Sequence, residues 1–318
     1  MNEYVETVKS NIGAIRVQKD QPIKISIIIP VYRNKDGLLD TVNSLIAQDF
    51  PKDRYEIIIS DNNSQDGTKQ TAMELENTYP DLIKVVHQDL IQGSYAARNA
   101  GAKEAKGDIC CFIDADMKAN VDYLANVSDH FNEDEELMYL GCNIAILGNG
   151  NTISAKMNRK YGFKVKEYFE KNNFVVTACL SVRKKIFERV GYFDDRLESG
   201  GDKEFGQRVY AAGLRQYYDH DLSLYHPSRT TYRSMLKKYK RIARGNAQLV
   251  YYYPERYGYY KSDRYYNIFR YTPPLLNKLF YIFIGVIVSF VKYFYDLPIR
   301  LCALFEFRKE LRKLEGKK

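Results

Sequence analysis

The chain has 318 residues, five cysteines and a formal net charge of +8. That length buries a substantial core and fits one large or two modest domains. The odd cysteine count, without metal-ligand spacing, speaks against a disulfide framework or a zinc site and for a reducing compartment. No basic-then-apolar leader is visible at the start, so a cytosolic protein is expected. From 229 to 264, ten Lys and Arg face only Glu255 and Asp263, an excess equal to the whole net charge. A basic, tyrosine-rich segment suits either nucleic acid or a membrane surface.

Residues 1–22 show no strong period and read as a peripheral arm. Residues 23–30 are an apolar run closed by Pro30, the pattern of a buried strand, with Tyr32-Arg33-Asn34 as the loop that follows. Leu38, Leu39, Val42, Leu45 and Ile46 then recur at helical spacing, and 55–60 is a second apolar strand entering Asp61-Asn62-Asn63-Ser64-Gln65-Asp66-Gly67-Thr68. The unit repeats with a helix near 68–77, a strand at 83–87, a loop through Gly93, a helix near 94–105 and a strand ending at Asp114. Such alternation predicts a mostly parallel sheet whose sites lie beyond the carboxyl ends of its strands. Tyr32, Asp61, Gly93 and Asp114 all fall at such ends.

The run Cys110-Cys111-Phe112-Ile113 ends abruptly in Asp114-Ala115-Asp116. On a continuing strand the two carboxylates share one face and repel unless a cation lies between them; the alternative is an acidic turn after the strand. A hard divalent metal completed by phosphate oxygens suits that arrangement. Further on, a helix after Asp122, a solvated acidic stretch at 132–136 and a strand at 138–147 are expected. A polar insertion at 148–173 with an amphipathic pattern around 161–169 follows, then a strand at 174–182 and a helix at 183–190. Gly200-Gly201-Asp202 opens a helical pattern to Gly213. Asp202 there reads as a helix N-cap or as a poised base, since the dipole favours an ionised acid at that end.

Together these residues resemble the family 2 glycosyltransferases with the GT-A fold, over about 24–245. Pro30-Val31-Tyr32-Arg33-Asn34 is similar to the family's first nucleotide loop and Asp61 to Thr68 to its second. Gly93-Ser94-Tyr95-Ala96-Ala97-Arg98-Asn99-Ala100-Gly101 is similar to the third, Asp114-Ala115-Asp116 to the metal motif, and 183–208 to the acceptor-side turn and base motif. The resemblance implies an inverting transferase of hexosyltransferase type that uses Mg2+ or Mn2+ and a nucleotide-sugar donor, a UDP-sugar by default. A glycan or glycolipid hydroxyl would be the acceptor, as in polysaccharide biosynthesis.

By the same resemblance, Asp61 accepts a hydrogen bond from the base, Tyr32 flanks the nucleoside, Pro30, Arg33 and Asn63 are further donor-binding residues, and Arg98 supports the diphosphate. Asp116 binds the metal directly, Asp114 contacts ribose or a metal-bound water, and His226, preferred over His220, is a metal or diphosphate ligand. Asp202 is the implied general base. Gly201, Glu204 and Arg208 line the acceptor side, and Arg241 and Arg244 the diphosphate side. Where the family commonly has Glu-Asp, this chain has Gly201-Asp202, leaving Glu204 to compensate.

The implied domains are an arm at 1–22 and a catalytic domain at 23–228, with a nucleotide half at 23–117 and an acceptor half at 118–228. A basic, Tyr-rich and apolar helical extension occupies 229–318. Residues 279–291 are apolar all round but short of the about 20 residues a span needs, so an interfacial or re-entrant helix is expected. Pro298 should break it, and 301–314 should resume as a membrane-surface helix. A helical hairpin packed on the catalytic domain or on a dimer partner is the alternative for this segment. Its position beside the basic stretch favours a membrane partner over nucleic acid, on the cytosolic face. The rival activities are transfer to polyprenyl phosphate and a non-catalytic nucleotide-binding scaffold.

Overall fold

The computed structural model describes residues 24–148, 152–228, 231–261 and 279–316; the arm at 1–22 lies outside them. One eight-stranded mixed sheet carries the architecture, in the order β3-β2-β1-β4-β7-β6-β8-β5. Strands β1 (Ile25–Val31), β2 (Tyr55–Asp61), β3 (Ile83–His87) and β4 (Ile109–Phe112) are mutually parallel. Their crossovers hold helices α1 (Lys35–Ile46), α2 (Thr68–Thr78) and α3 (Ser94–Glu104). Ile25, Ile27, Ile28 and Ile29 are fully buried, because a central parallel strand is covered on both faces and reads as a continuous apolar run.

After β5 (Lys118–Ala119), α4 (Tyr123–Glu133) and β6 (Leu137–Leu147), the insertion folds as helices α5 (Ile153–Tyr161) and α6 (Val165–Asn172). The strand expected at 174–182 is mostly not one. A 3-10 turn occupies Thr177–Cys179, and only Leu180–Arg183 (β7) pairs, so apolar character there reflects burial without a ladder. Helices α7 (Ile186–Val190) and α8 (Gly201–Ala211) and the long strand β8 (Arg215–Pro227) follow.

β7 runs antiparallel to both β4 and β6, and β8 runs parallel to β6. Two reversals restore direction, so β8 ends at the same edge as β4. The pairing of Lys118 with Tyr225 and Ala119 with Leu224 then brings the acid turn across from His226.

Helix α9 (Tyr232–Tyr252), capped by Thr231 Oγ1 accepting from Ser234 N at 3.2 Å, buries Met235, Ala243, Ala247, Leu249 and Val250. Gly245 lets it approach the loop before α8: a Cβ there would stand 2.3 Å from the Ser199 carbonyl. The short α10 (Pro254–Tyr257) follows, and α11 (Leu279–Glu315) closes the chain. Pro298 does not end this helix as expected. It lies inside α11, where the turns beyond it are held by burial of Ile299, Ala303, Phe307 and Leu314, of which Ala303 and Phe307 belong to the core that α9 joins. Arg244 Nη1 also reaches Glu306 at 3.2 Å. Among the described residues no helix is long and apolar enough to cross a membrane.

Candidate active site

Two amides, Asn34 half-buried and Asn62 buried, assemble the nucleotide-side loops. Asn34 Oδ1 accepts from Gly37 N at 3.2 Å, capping α1, while its Nδ2 donates to the Ala115 carbonyl at 2.9 Å and ties the first loop to the acid turn. Asn62 Nδ2 donates to Gln88 O and Ile91 O, and its Oδ1 accepts from Gly93 N at 2.7 Å, folding the third loop onto the second. Neither amide was singled out by sequence, since an asparagine in a loop carries no signal of what it bridges. Beside them Asp61 is fully buried. Its Oδ2 accepts from Ser64 N at 3.3 Å and lies 4.0 Å from His87 Nδ1, whereas among the described residues no group hydrogen-bonds Oδ1. Tyr32 is exposed with the Arg33 guanidinium 5.2 Å from its ring centre, Pro30 lies within β1 opposite Ser60 with Val31 still paired beyond it, and Asn63 takes a left-handed φ of 62° in the second loop.

The two acids do not share a strand face. β4 stops at Phe112, and the chain turns, with Met117 N donating to Asp114 O at 3.1 Å. Asp114 Oδ1 accepts from Arg98 Nη2 at 2.6 Å, while Asp116 Oδ2 stands 3.5 Å from His226 Nε2. His226 Nδ1 donates to the Pro227 carbonyl at 2.6 Å. In the neutral ring that fixes the proton on Nδ1 and leaves a lone pair on Nε2. A carboxylate oxygen and an imidazole lone pair at this separation form an acceptor pair suited to a shared divalent cation. His220, by contrast, sits 72 % exposed on a bulge of β8 with Asp219 and Asp221, well before the strand's end.

Asp202 is not the N-cap of α8: that position is Gly200, whose φ of 85° only glycine adopts cheaply, and Asp202 is the second residue of the first turn. Its Oδ1 accepts from Lys203 N at 2.9 Å and from the Tyr95 hydroxyl at 3.4 Å. Although the residue is only partly buried, its carboxyl is desolvated by its surroundings. Burial pushes its pKa above the ordinary 3.8, against the lowering effects of the Lys203 N–H and the Arg98 and Arg241 charges. Tyr95 and Arg98 lie three apart on α3, the spacing of neighbours on one helix face. One helix therefore touches both the base candidate and the acid turn.

The sequence profile of glycosyl transferase family 2 matches residues 26–191, and that of glycosyl transferase family group 2 matches 109–307. The chain belongs to glycosyl transferase family 2. It is 34% identical over 227 residues to glycosyltransferase AglE of Haloferax volcanii, covering 71% of this chain and 73% of the relative. It is 27% identical to the probable glycosyltransferase YdaM of Bacillus subtilis, across 92% of this chain and 72% of the relative. Its fold matches mannosyltransferase PcManGT from Pyrobaculum calidifontis, solved with GDP-Man and Mn2+, with a TM-score of 0.63 at 15% identity over 97% and 94% of the two chains. It also matches residues 1–349 of S. aureus TarS with UDP-GlcNAc, with a TM-score of 0.53 at 18% identity over 92% and 91%. These neighbours have the GT-A fold expected here.

Several residues expected to touch ligand in this family 2 glycosyltransferase are instead engaged inside the protein. Glu204 is 1 % exposed; its carboxylate takes Arg208 Nη2 at 2.7 Å and lies 3.7 Å from Arg256. Arg208 in turn donates to the Val190 and Tyr192 carbonyls. The pair clamps α8 to the preceding turn, so Glu204 does not replace the family's glutamate on the acceptor side. Arg244 is held between Glu198 and Glu306 and its pKa is raised, by the Glu198 hydrogen bond foremost; it binds the site loop to α11 and is not open to diphosphate. Arg98 is buried, with its Nη2 on Asp114 Oδ1. Gly201 is buried and offers no side chain. Arg241 remains exposed near Asp202. Tyr95 has no role by the resemblance of its motif; its three-residue offset from Arg98 on α3 is the signal that could have found it.

Proposed function

We propose that this glycosyltransferase is inverting and moves a sugar from a nucleoside diphosphate donor to a hydroxyl of a glycan or glycolipid. The observation that carries the reading is the span of α3, whose Tyr95 meets Asp202 while Arg98 holds Asp114 at the acid turn. A base candidate and a cation-ready pair are thereby fixed on one sheet edge. Asp116 and His226 would hold Mg2+ or Mn2+, with Asp114 oriented beside them by Arg98. The bound cation would supply charge neutralisation for the departing diphosphate. Asp202 accepts the proton of the attacking hydroxyl, and displacement from the face opposite the leaving group inverts the anomeric centre. A screen of UDP- and GDP-sugars for Mn2+-dependent release of the nucleoside diphosphate tests the reading. No release from any of them, with folded protein, would overturn it.

Asp61 supports a restriction on the base. Its buried Oδ1 is an acceptor needing a donor; uracil and guanine present a ring N–H, cytosine and adenine a ring lone pair. Calorimetric titration in Mn2+ should show UDP or GDP binding at least about 10-fold more tightly than CDP and ADP, and Asp61→Ala should erase the difference. Equal affinities for all four in the parent would remove Asp61 from base recognition.

The reading includes peripheral attachment to the cytosolic face of a membrane. On the side of α11 away from the core, Leu301 is 47 % and Phe305 68 % exposed, with Arg308 and Arg312 exposed further along. Apolar side chains with basic neighbours suit an anionic interface. The protein should pellet with phosphatidylglycerol vesicles and partly resist high salt, and Leu301→Ser with Phe305→Ser should leave only salt-sensitive binding. A parent protein that stays in the supernatant at every anionic lipid content would make α11 a packing element alone.

A further inference from the structure

The contact between Tyr95 and Asp202 joins residues 107 positions apart and runs in both directions. The hydroxyl accepts from Asp202 N at 3.2 Å and donates to Asp202 Oδ1 at 3.4 Å. It therefore meets a backbone N–H of the first turn of α8, one of those a helix leaves without an internal partner, and the carboxyl of the same residue. Lys203 N also donates to Oδ1. Both side-chain bonds fall on one oxygen, and Oδ2 carries neither.

The phenol is itself rigidly seated. Tyr95 is 4% exposed, its ring lies 5.9 Å from that of Phe193 and 5.4 Å from the Arg98 guanidinium carbon. Phe193 is in turn locked to α3: Asn99 Nδ2 donates to Phe193 O at 2.8 Å and Phe193 N donates to Asn99 Oδ1 at 3.1 Å. Gly201 completes the seat, because a Cβ there would stand 2.8 Å from two atoms of the Tyr95 ring. No side chain fits at 201 while the tyrosine is in place. The glycine at 201 and the tyrosine at 95 are one arrangement.

We infer that Tyr95 is a positioning residue for Asp202, fixing the carboxyl through Oδ1 so that Oδ2 is presented to the acceptor hydroxyl, with Gly201 making room for the phenol. The inference rests on the proposed role of Asp202 as base. A donor on Oδ1 also favours the ionised carboxylate, in a setting where the other groups acting on it are Arg98 from α3 and Arg241 from α9, with Tyr139 of β6 nearby. The Lys203 ammonium is directed elsewhere, to the Tyr259 hydroxyl at 2.7 Å.

Tyr95→Phe keeps the ring and removes only the hydroxyl. With 13C-carboxyl-labelled aspartate and the Asp202 resonance assigned by its loss in Asp202→Asn, the Asp202 titration should move upward by roughly half to one pH unit in Tyr95→Phe. Gly201→Ala, which pushes the ring away, should move it in the same direction. In Mn2+-dependent hydrolysis of whichever of UDP-GlcNAc and GDP-mannose the parent turns over, kcat should fall about 10-fold in Tyr95→Phe with donor KM unchanged. The acidic limb of its pH profile should follow the shifted titration. An unmoved Asp202 titration and pH limb in Tyr95→Phe, with Asp202→Asn inactive, would overturn the positioning role alone. Near-parental turnover in Asp202→Asn would overturn the base role on which it rests.

Discussion

Asp116→Asn is expected to weaken Mn2+-dependent binding of UDP or GDP by at least about 100-fold and to abolish transfer. Loss of a partner one layer removed from a metal already costs 10–100-fold in affinity, so loss of a direct ligand's charge costs at least about the upper end. The asparagine keeps the size of the side chain but faces His226 Nε2, 3.5 Å away, with a neutral amide. His226→Ala should act in the same direction, since it removes the other half of the acceptor pair. Asp114→Asn should do less: an amide oxygen can still accept from Arg98 Nη2, the contact that occupies Oδ1. Calorimetric titration of each variant with and without Mn2+ decides it. Unchanged metal-dependent affinity in Asp116→Asn would sink the assignment.

Asp202→Asn should lower turnover by roughly 100-fold or more, the usual scale for a general base, while leaving nucleotide affinity almost intact. In the parent, turnover should fall as pH drops through the Asp202 pKa, on a limb above the ordinary 3.8, because burial raises that pKa. The sign for stability is opposite to that of a salt-bridged acid. A raised folded-state pKa means that the ionised carboxyl costs stability once pH exceeds the ordinary value, with the full cost present above the folded one. The amide lacks that cost, so the variant should melt no lower than the parent at pH 7. Steady-state kinetics beside thermal melts read both effects. Near-native turnover would leave Asp202 a structural acid of the first turn of α8 and favour a phosphate acceptor, which needs no deprotonation, in keeping with the exposed Arg241 nearby.

The four parallel strands, their order along the chain and the loops that carry chemistry were legible in the sequence, because a buried parallel strand must be apolar throughout and must end where polar residues begin. Residues 23–30, 55–60 and 83–87 show this, each within two residues of its observed limits. The family resemblance of the motifs was equally local. Partnership was not. Asp114 and Asp116 looked alike as neighbours in sequence, yet a turn after Phe112 sends one to Arg98 and the other to His226. Glu204, Arg208 and Arg244 looked like ligand-facing charges, yet each is neutralised inside the protein.

Sequence by itself thus determined the periodicity, the placing of the acids at strand ends and the family, since each depends on residues close together in the chain. Only the tertiary structure decided which charge meets which. That choice depends on the two strand reversals that return β8 to the edge of β4 and on the close approach at Gly245. It depends as well on the burial that makes an unpaired charge too costly to keep. These are distances between residues far apart along the chain, and no local pattern encodes them.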